Sequence, residues 1–311
     1  MVSNDACSWP GLLWRGPFLR GVLSSFSQIM LQNNRLTGVL LLIAVVVYSP
    51  VMAVAAILGC VVNQLFSLML LRRSSGQYAQ LEQGLYGFNG ALVGLAMSYL
   101  WPLSGPLVLM LTMMATLLAT IIGHCLKGLN YPLYTLPFIL SVWLFWLLFG
   151  SQHLAGSGIA DVSAITGASA MEINLFRSVL SGIGQVMFLN SGVSGALLLA
   201  GLLIVSRVAA LVVVFAVILS LVVSMLLAFP IPQIALGIYS YNVVLLVLAL
   251  LSRGNFRPLT VVCGVLLAVL LTRLLQLFDV MPLTAPFVLS VWVLSCLPST
   301  PVIKRSLEKV P

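Results

Sequence analysis

The chain has 311 residues, 61% hydrophobic and 6% charged, with a formal net charge of +8 and a mean hydropathy of +1.17. A soluble domain of this size carries roughly a quarter of its residues charged, so this composition excludes a water-solvated globule and makes lipid the main solvent. The basic excess is scattered singly or in pairs, as at Arg15, Arg20, Arg72, Arg73, Arg253, Arg257, Lys304 and Arg305. That pattern reads as anchoring to membrane lipid headgroups and not as a nucleic-acid face, so no nucleic-acid partner is expected.

In chain order, the N-terminus lacks a basic region running directly into an apolar core and cleavage site, so no removable leader is expected. The uncharged tracts 36–71, 83–126, 128–160 and 208–252 follow. A spanning helix needs about 20 mainly apolar residues, so the longer tracts each hold two helices, or one helix and a half-helix. Residues 84–98 predict a half-helix of about four turns ended by Trp101-Pro102, with Gly84, Gly87, Gly90 and Gly94 presenting a smooth packing face. Cys60, Cys125, Cys263 and Cys296 lie in apolar stretches without disulfide or metal spacing.

The chain then repeats itself. Residues 20–42 and 177–199 align without a gap, with eleven of 23 positions identical, including Gln28 with Gln185 and Asn33 with Asn190. Gly84-Leu-Tyr86-Gly-Phe88-Asn89 recurs as Gly237-Ile-Tyr239-Ser-Tyr241-Asn242, and Thr135-Leu-Pro137-Phe138 as Thr284-Ala-Pro286-Phe287. The offsets are 157, 153 and 149, in the same order. These blocks predict an all-α integral membrane protein of ten transmembrane helices plus two re-entrant half-helices. The homologous halves are 1–155 and 172–311, joined by a Gly/Ser/Ala-rich linker at 156–171. Five spans in each half would insert the halves in opposite senses, an inverted repeat whose site lies where broken segments from both halves meet.

These blocks resemble the urea transporter family, in which each half carries an R-G-x-x-Q-V-x-F-x-x-N segment, a G-L-x-G-F/Y-N half-helix and an L-P-x-x-T-x-P-F signature. The resemblance runs from about residue 15 to residue 298. Tyr131 replaces the leading Leu of the last signature, the second copy is one residue short between Pro282 and Thr284, and Leu31 stands where the family has Phe. The resemblance implies a bacterial member in the inner membrane. It further implies a homotrimer with one pore per protomer and passive conduction of urea, with ammonia or water as alternative neutral solutes.

Urea is flat and neutral, with several N–H donors and one carbonyl. Gln28 and Gln185 each offer an amide carbonyl and an amide NH₂. Leu31 and Phe188 follow three residues later, which on a continuous helix puts them one turn away on the same face. The resemblance implies that these two clamp the flat solute and that Phe88, Leu92, Tyr241 and Leu245 line the slot from the half-helices. Thr135 and Thr284 precede Pro137 and Pro286, which are expected to disrupt the preceding helical turn and free carbonyls that, together with the two Thr hydroxyls, form an acceptor row for the solute's N–H groups. Asn89 and Asn242 are expected to cap or bridge the half-helices.

Other functions find less support. His124 and His153 are not repeats of one another, which argues against a histidine-lined ammonium pore. Glu82, Asp161, Glu172 and Asp279 fall at segment ends, where they cannot couple transport to protons or sodium. No nucleophile–base pair, metal cluster or phosphate loop is evident, so neither an enzyme nor a cofactor is expected.

Overall fold

The computed structural model describes residues 16–70, 75–101, 105–149, 174–254 and 257–296. The linker 156–171, the ends of both predicted halves, Pro102, His153, Asp161, Glu172 and the basic residues Arg15, Arg72, Arg73, Lys304 and Arg305 lie outside them. Among the described residues the chain is all helical. The first repeat supplies α1 (Gly16–Ile29), α2 (Arg35–Tyr48), α3 (Pro50–Leu70), α4 (Ser75–Glu82), α5 (Phe88–Leu100), α6 (Gly105–Cys125) and α7 (Leu136–Phe149). The second supplies α8 (Leu175–Gly184), α9 (Gly192–Val205), α10 (Arg207–Leu226), α11 (Ile231–Ala235), α12 (Tyr241–Ser252), α13 (Pro258–Leu277) and α14 (Ala285–Cys296).

Four helices are long and apolar enough to cross a membrane: α3, α6 with its 3₁₀ extension to Gly128, α10 and α13. A fifth crossing is available to Leu175–Met187 with Gly192–Val205, a pair bent by 76°. The remaining apolar helices are shorter, and local chemistry explains why. Ser49 and Ser206, 157 residues apart, are extended (φ −158° and −156°) and interrupt their tracts. Their hydroxyls accept from Met52 N–H at 3.3 Å and Ala209 N–H at 3.2 Å, so the break also caps the next helix. Leu147 and Leu226, 79% and 80% exposed, are among the large apolar side chains on the outer surface, as a lipid-facing exterior requires.

The hydrogen bonds between the repeats are reciprocal. Thr37 Oγ1 donates to Gly201 O at 2.9 Å, and Ser194 Oγ, 157 residues beyond Thr37, donates to Ala44 O, 157 residues before Gly201, at 3.3 Å. Trp143 Nε1 donates to Met281 O at 2.9 Å and Trp292 Nε1 to Pro132 O at 3.0 Å, related by 149 at both ends. When residue i binds j′ while i′ binds j, the contact has local two-fold character.

Glycine controls how closely α3 and α5 approach. A Cβ at Gly90 would fall on the Gly59 carbonyl oxygen, and one at Gly94 on that of Ala55. The expected glycine face is therefore real at Gly90 and Gly94. Gly84 and Gly87, however, precede the helix, and Gly84 closes α4 with φ +78°. Two predicted lipid anchors are also differently employed. Arg20 pairs with Glu82 at 3.6 Å, and Arg253 donates to Ser295 Oγ at 2.9 Å.

Overpacking a tight contact costs about 1–3 kcal/mol. Gly90→Ala is therefore expected to lower the thermal unfolding midpoint of the detergent-solubilised protein clearly. Gly105→Ala, where an added methyl meets nothing within 4 Å, should leave it unchanged.

Candidate functional site

Thr135 and Thr284 meet. Their hydroxyl oxygens are 2.8 Å apart, and both residues are buried. Each immediately precedes a helix, α7 or α14, so two helix N-termini from different repeats converge on one hydrogen bond. The N-termini of α5 and α12 are tied to the same place. Asn89 Nδ2 donates to Tyr134 O and Asn242 Nδ2 to Leu283 O, both at 3.2 Å. Asn242 Oδ1 also accepts from Phe287 N–H at 3.2 Å. Both asparagines thus act as the bridges expected of them.

The predicted acceptor row takes a different form. Pro137 and Pro286 are the second residues of α7 and α14, where a missing N–H is harmless, and they interrupt no preceding turn. The nearby carbonyls are occupied. Thr135 O accepts from Ile139 N–H and Thr284 O from Val288 N–H. Tyr134 O is taken by Asn89, while Leu283 O receives both Asn242 and the Tyr241 hydroxyl, the latter at 2.7 Å. The polar content at the junction is the hydroxyl pair itself.

Gln28 is half-buried, near the end of α1, and Gln185 is buried, at the end of α8. No hydrogen bond engages either side-chain amide among the described residues. The geometry beyond them corrects the expectation of a continuous helical face. Leu31 and Phe188 sit past the helix ends in the left-handed region, φ +53° and +61°. At each end two bonds close a Schellman cap: Leu31 N–H to Gln28 O and Gln32 N–H to Ser27 O, then Phe188 N–H to Gln185 O and Leu189 N–H to Gly184 O. Gly usually fills that position because a bulky residue there is strained by about 1–3 kcal/mol. Two large apolar side chains are thereby turned off the helix axis immediately after each free amide.

Phe188 packs against Tyr99 (centroids 5.4 Å apart) and edge-on against Phe138 (6.4 Å). Leu92 and Leu245 are buried completely in the core. Phe88 instead lines a cavity of about 220 Å³ together with Tyr86, Asn89, Tyr134, Pro137 and Lys127. Sequence reasoning did not single out Tyr99 or Tyr134. Tyr99 carried no motif signal, whereas Tyr134 could have been noticed as the neighbour of a repeated Thr.

Each threonine answers the other's hydroxyl in a buried place. Thr135→Val and Thr284→Val singly are expected to destabilise by about 1–3 kcal/mol, the cost of one unpaired buried group. The double variant should lose less than the sum, read as a double-mutant cycle of unfolding in detergent.

The model of the urea transporter family matches residues 19–299. Urea transporter 1 of Mus musculus is 25% identical over 263 residues, covering 78% of this chain and 65% of that protein. Urea transporter 1 of Rattus norvegicus is 26% identical over 255 residues with the same coverage, and that of Ovis aries 25% over 263. The chain thus spans about 65% of the length of these curated relatives.

Proposed function

Because this chain belongs to the urea transporter family, we propose that it is a passive channel conducting urea down its gradient, through a pore between two halves inserted as an inverted repeat. In this reading the halves are 1–155 and 172–311, and the shorter helices complete ten crossings with two re-entrant half-helices. The assembly is a homotrimer in a cell membrane, the inner membrane of a bacterium.

The observation that carries the proposal is the Thr135–Thr284 hydroxyl pair, 2.8 Å apart at the convergence of helices from both repeats. Urea's N–H groups find acceptors in those oxygens. Gln28 and Gln185 supply amides on either side that no other described residue occupies, so each can replace water around the solute without first breaking a bond to one of them. Leu31 and Phe88 flank one approach and Phe188 and Tyr241 the other, presenting apolar faces to a flat molecule, with Leu92 and Leu245 packed in the core behind them. Converging helix N-termini place partial positive charge at the centre, which disfavours cations, and no ionised side chain among the described residues offsets it within the proposed path. A charge at mid-membrane already costs at least about 2.5–3.5 kcal/mol.

Stopped-flow permeability of proteoliposomes tests the proposal. Urea should pass faster than glycerol, and a monovalent ion should not pass. An imposed proton or sodium gradient should drive no uphill accumulation, because the solute moves no charge and no carboxylate among the described residues stands in the proposed path. Uphill urea uptake would overturn the passive reading, and ammonia or water passing in place of urea would overturn the substrate.

Thr135→Val and Thr284→Val, each removing a hydroxyl, should slow urea flux about threefold to tenfold, the worth of one neutral hydrogen bond of about 0.5–1.5 kcal/mol. Unchanged flux in both folded variants would remove the pair from the pathway.

A further inference from the structure

The cavity beside Phe88 is walled by two tyrosines that each carry a cation. Lys127, itself on the wall, holds Nζ 5.8 Å from the ring centroid of Tyr86, and the guanidinium of Arg253 lies 5.4 Å from that of Tyr134. His124 lines the same cavity. Among the described residues no carboxylate does so. The acidic side chains among the described residues are Glu82, engaged with Arg20, and Asp279, and neither is on the wall. The second repeat has a related arrangement. Arg273 lies 5.6 Å from the ring centroid of Phe229, which packs 4.9 Å from Tyr239, the residue 153 positions beyond Tyr86.

An aromatic slot shaped for urea has an intrinsic weakness. Guanidinium is planar and nearly isosteric with urea, and cations are drawn to aromatic faces. A bare cavity of Tyr86, Phe88 and Tyr134 would therefore hold guanidinium better than urea and be plugged by it, even with the charge-free interior barring passage. In this chain the protein's own cations already occupy the Tyr86 and Tyr134 rings.

We propose that Lys127, with Arg253 behind Tyr134, is a specificity-determining residue of this mouth, denying the aromatic cavity to planar organic cations isosteric with urea. The proposal rests on the urea-channel reading. Lys127 lies in the 3₁₀ turn that ends α6, where the helix dipole favours a cation and the Tyr86 ring keeps it on the wall. A second positive charge entering about 6 Å away is opposed roughly threefold in affinity even at the dielectric of water, and more where water is displaced.

The test is urea flux through proteoliposomes of the full chain, with sodium chloride replaced by guanidinium chloride at constant ionic strength. Wild type and Lys127→Arg should be half-blocked at the same guanidinium concentration. Lys127→Gln should be half-blocked at about threefold lower guanidinium than wild type and Lys127→Glu at about tenfold lower, with the difference shrinking at high salt. Variants that conduct urea yet are no more sensitive than wild type overturn the proposal, as does Lys127→Arg behaving like Lys127→Gln. If Lys127→Glu does not fold, Lys127→Gln alone decides. Should wild type conduct no urea, the channel reading fails, and equilibrium dialysis of guanidinium against purified wild type and Lys127→Gln still settles this one. Tighter binding to the variant supports it, and equal binding overturns it.

Discussion

The structure turns on the hydrogen bond between Thr135 and Thr284. It is made by residues 149 positions apart that start equivalent helices, so it can exist only if both repeats are folded and in register. Around it stand four helix N-termini, each with free backbone donors that lipid cannot satisfy. The answers are local and specific. Asn242 accepts the Phe287 N–H and donates to Leu283 O, Asn89 donates to Tyr134 O, and the two tryptophans reach across to carbonyls on the opposite repeat. Separating the threonines would strain both tryptophan bonds that cross between the repeats, while the asparagines hold each threonine's own helix start in place, which explains how two hydroxyls can stay in position without charged neighbours to hold them.

The two repeats are not copies in packing. The first brings α3 against α5 through Gly59 and Gly90, at a distance no side chain could tolerate. The second has Val243 and Val247 where the first has Gly90 and Gly94. The first also carries buried hydroxyls on α6, at Thr112 and Thr116, that have no hydrogen-bond partner among the described residues. Near-symmetry is thus preserved at the junction, where reciprocity is required, and relaxed in the surrounding helices, where each side needs only to fill its own space.

Much of this was legible in the sequence. The apolar tracts announced helices in lipid, and the repeated blocks contain the residues that meet: the offset of 149 between Thr135 and Thr284 is the separation of the bonded pair. The bridging role of Asn89 and Asn242 followed from polar side chains at the start of short helices. What escaped was backbone conformation without a compositional signal. Leu31 and Phe188 occupy a position that glycine normally marks, so periodicity extends their helices past their true ends and assigns both side chains to a continuous helical face that their left-handed backbone breaks. Ser49 and Ser206 break long apolar runs by capping the next helix, a step that hydropathy cannot see. Pro137 and Pro286 carry the compositional mark of a helix interruption, yet each is the second residue of a helix. Arg20 and Arg253 looked like surface anchors because no sequence pattern reports a partner 62 or 42 positions away.

The reciprocal bonds also bear on how the chain is made. While the first repeat is being inserted, the Trp143 indole and the Thr37 hydroxyl have no partners, since both acceptors, Met281 O and Gly201 O, belong to chain not yet synthesised. At about 5–20 residues per second, the wait for Met281 is on the order of ten seconds. For that interval a helical intermediate must shelter unpaired donors inside the bilayer, by lingering beside the insertion machinery or by admitting water. The same interlock means that these four bonds close only once the second repeat has been inserted beside the first.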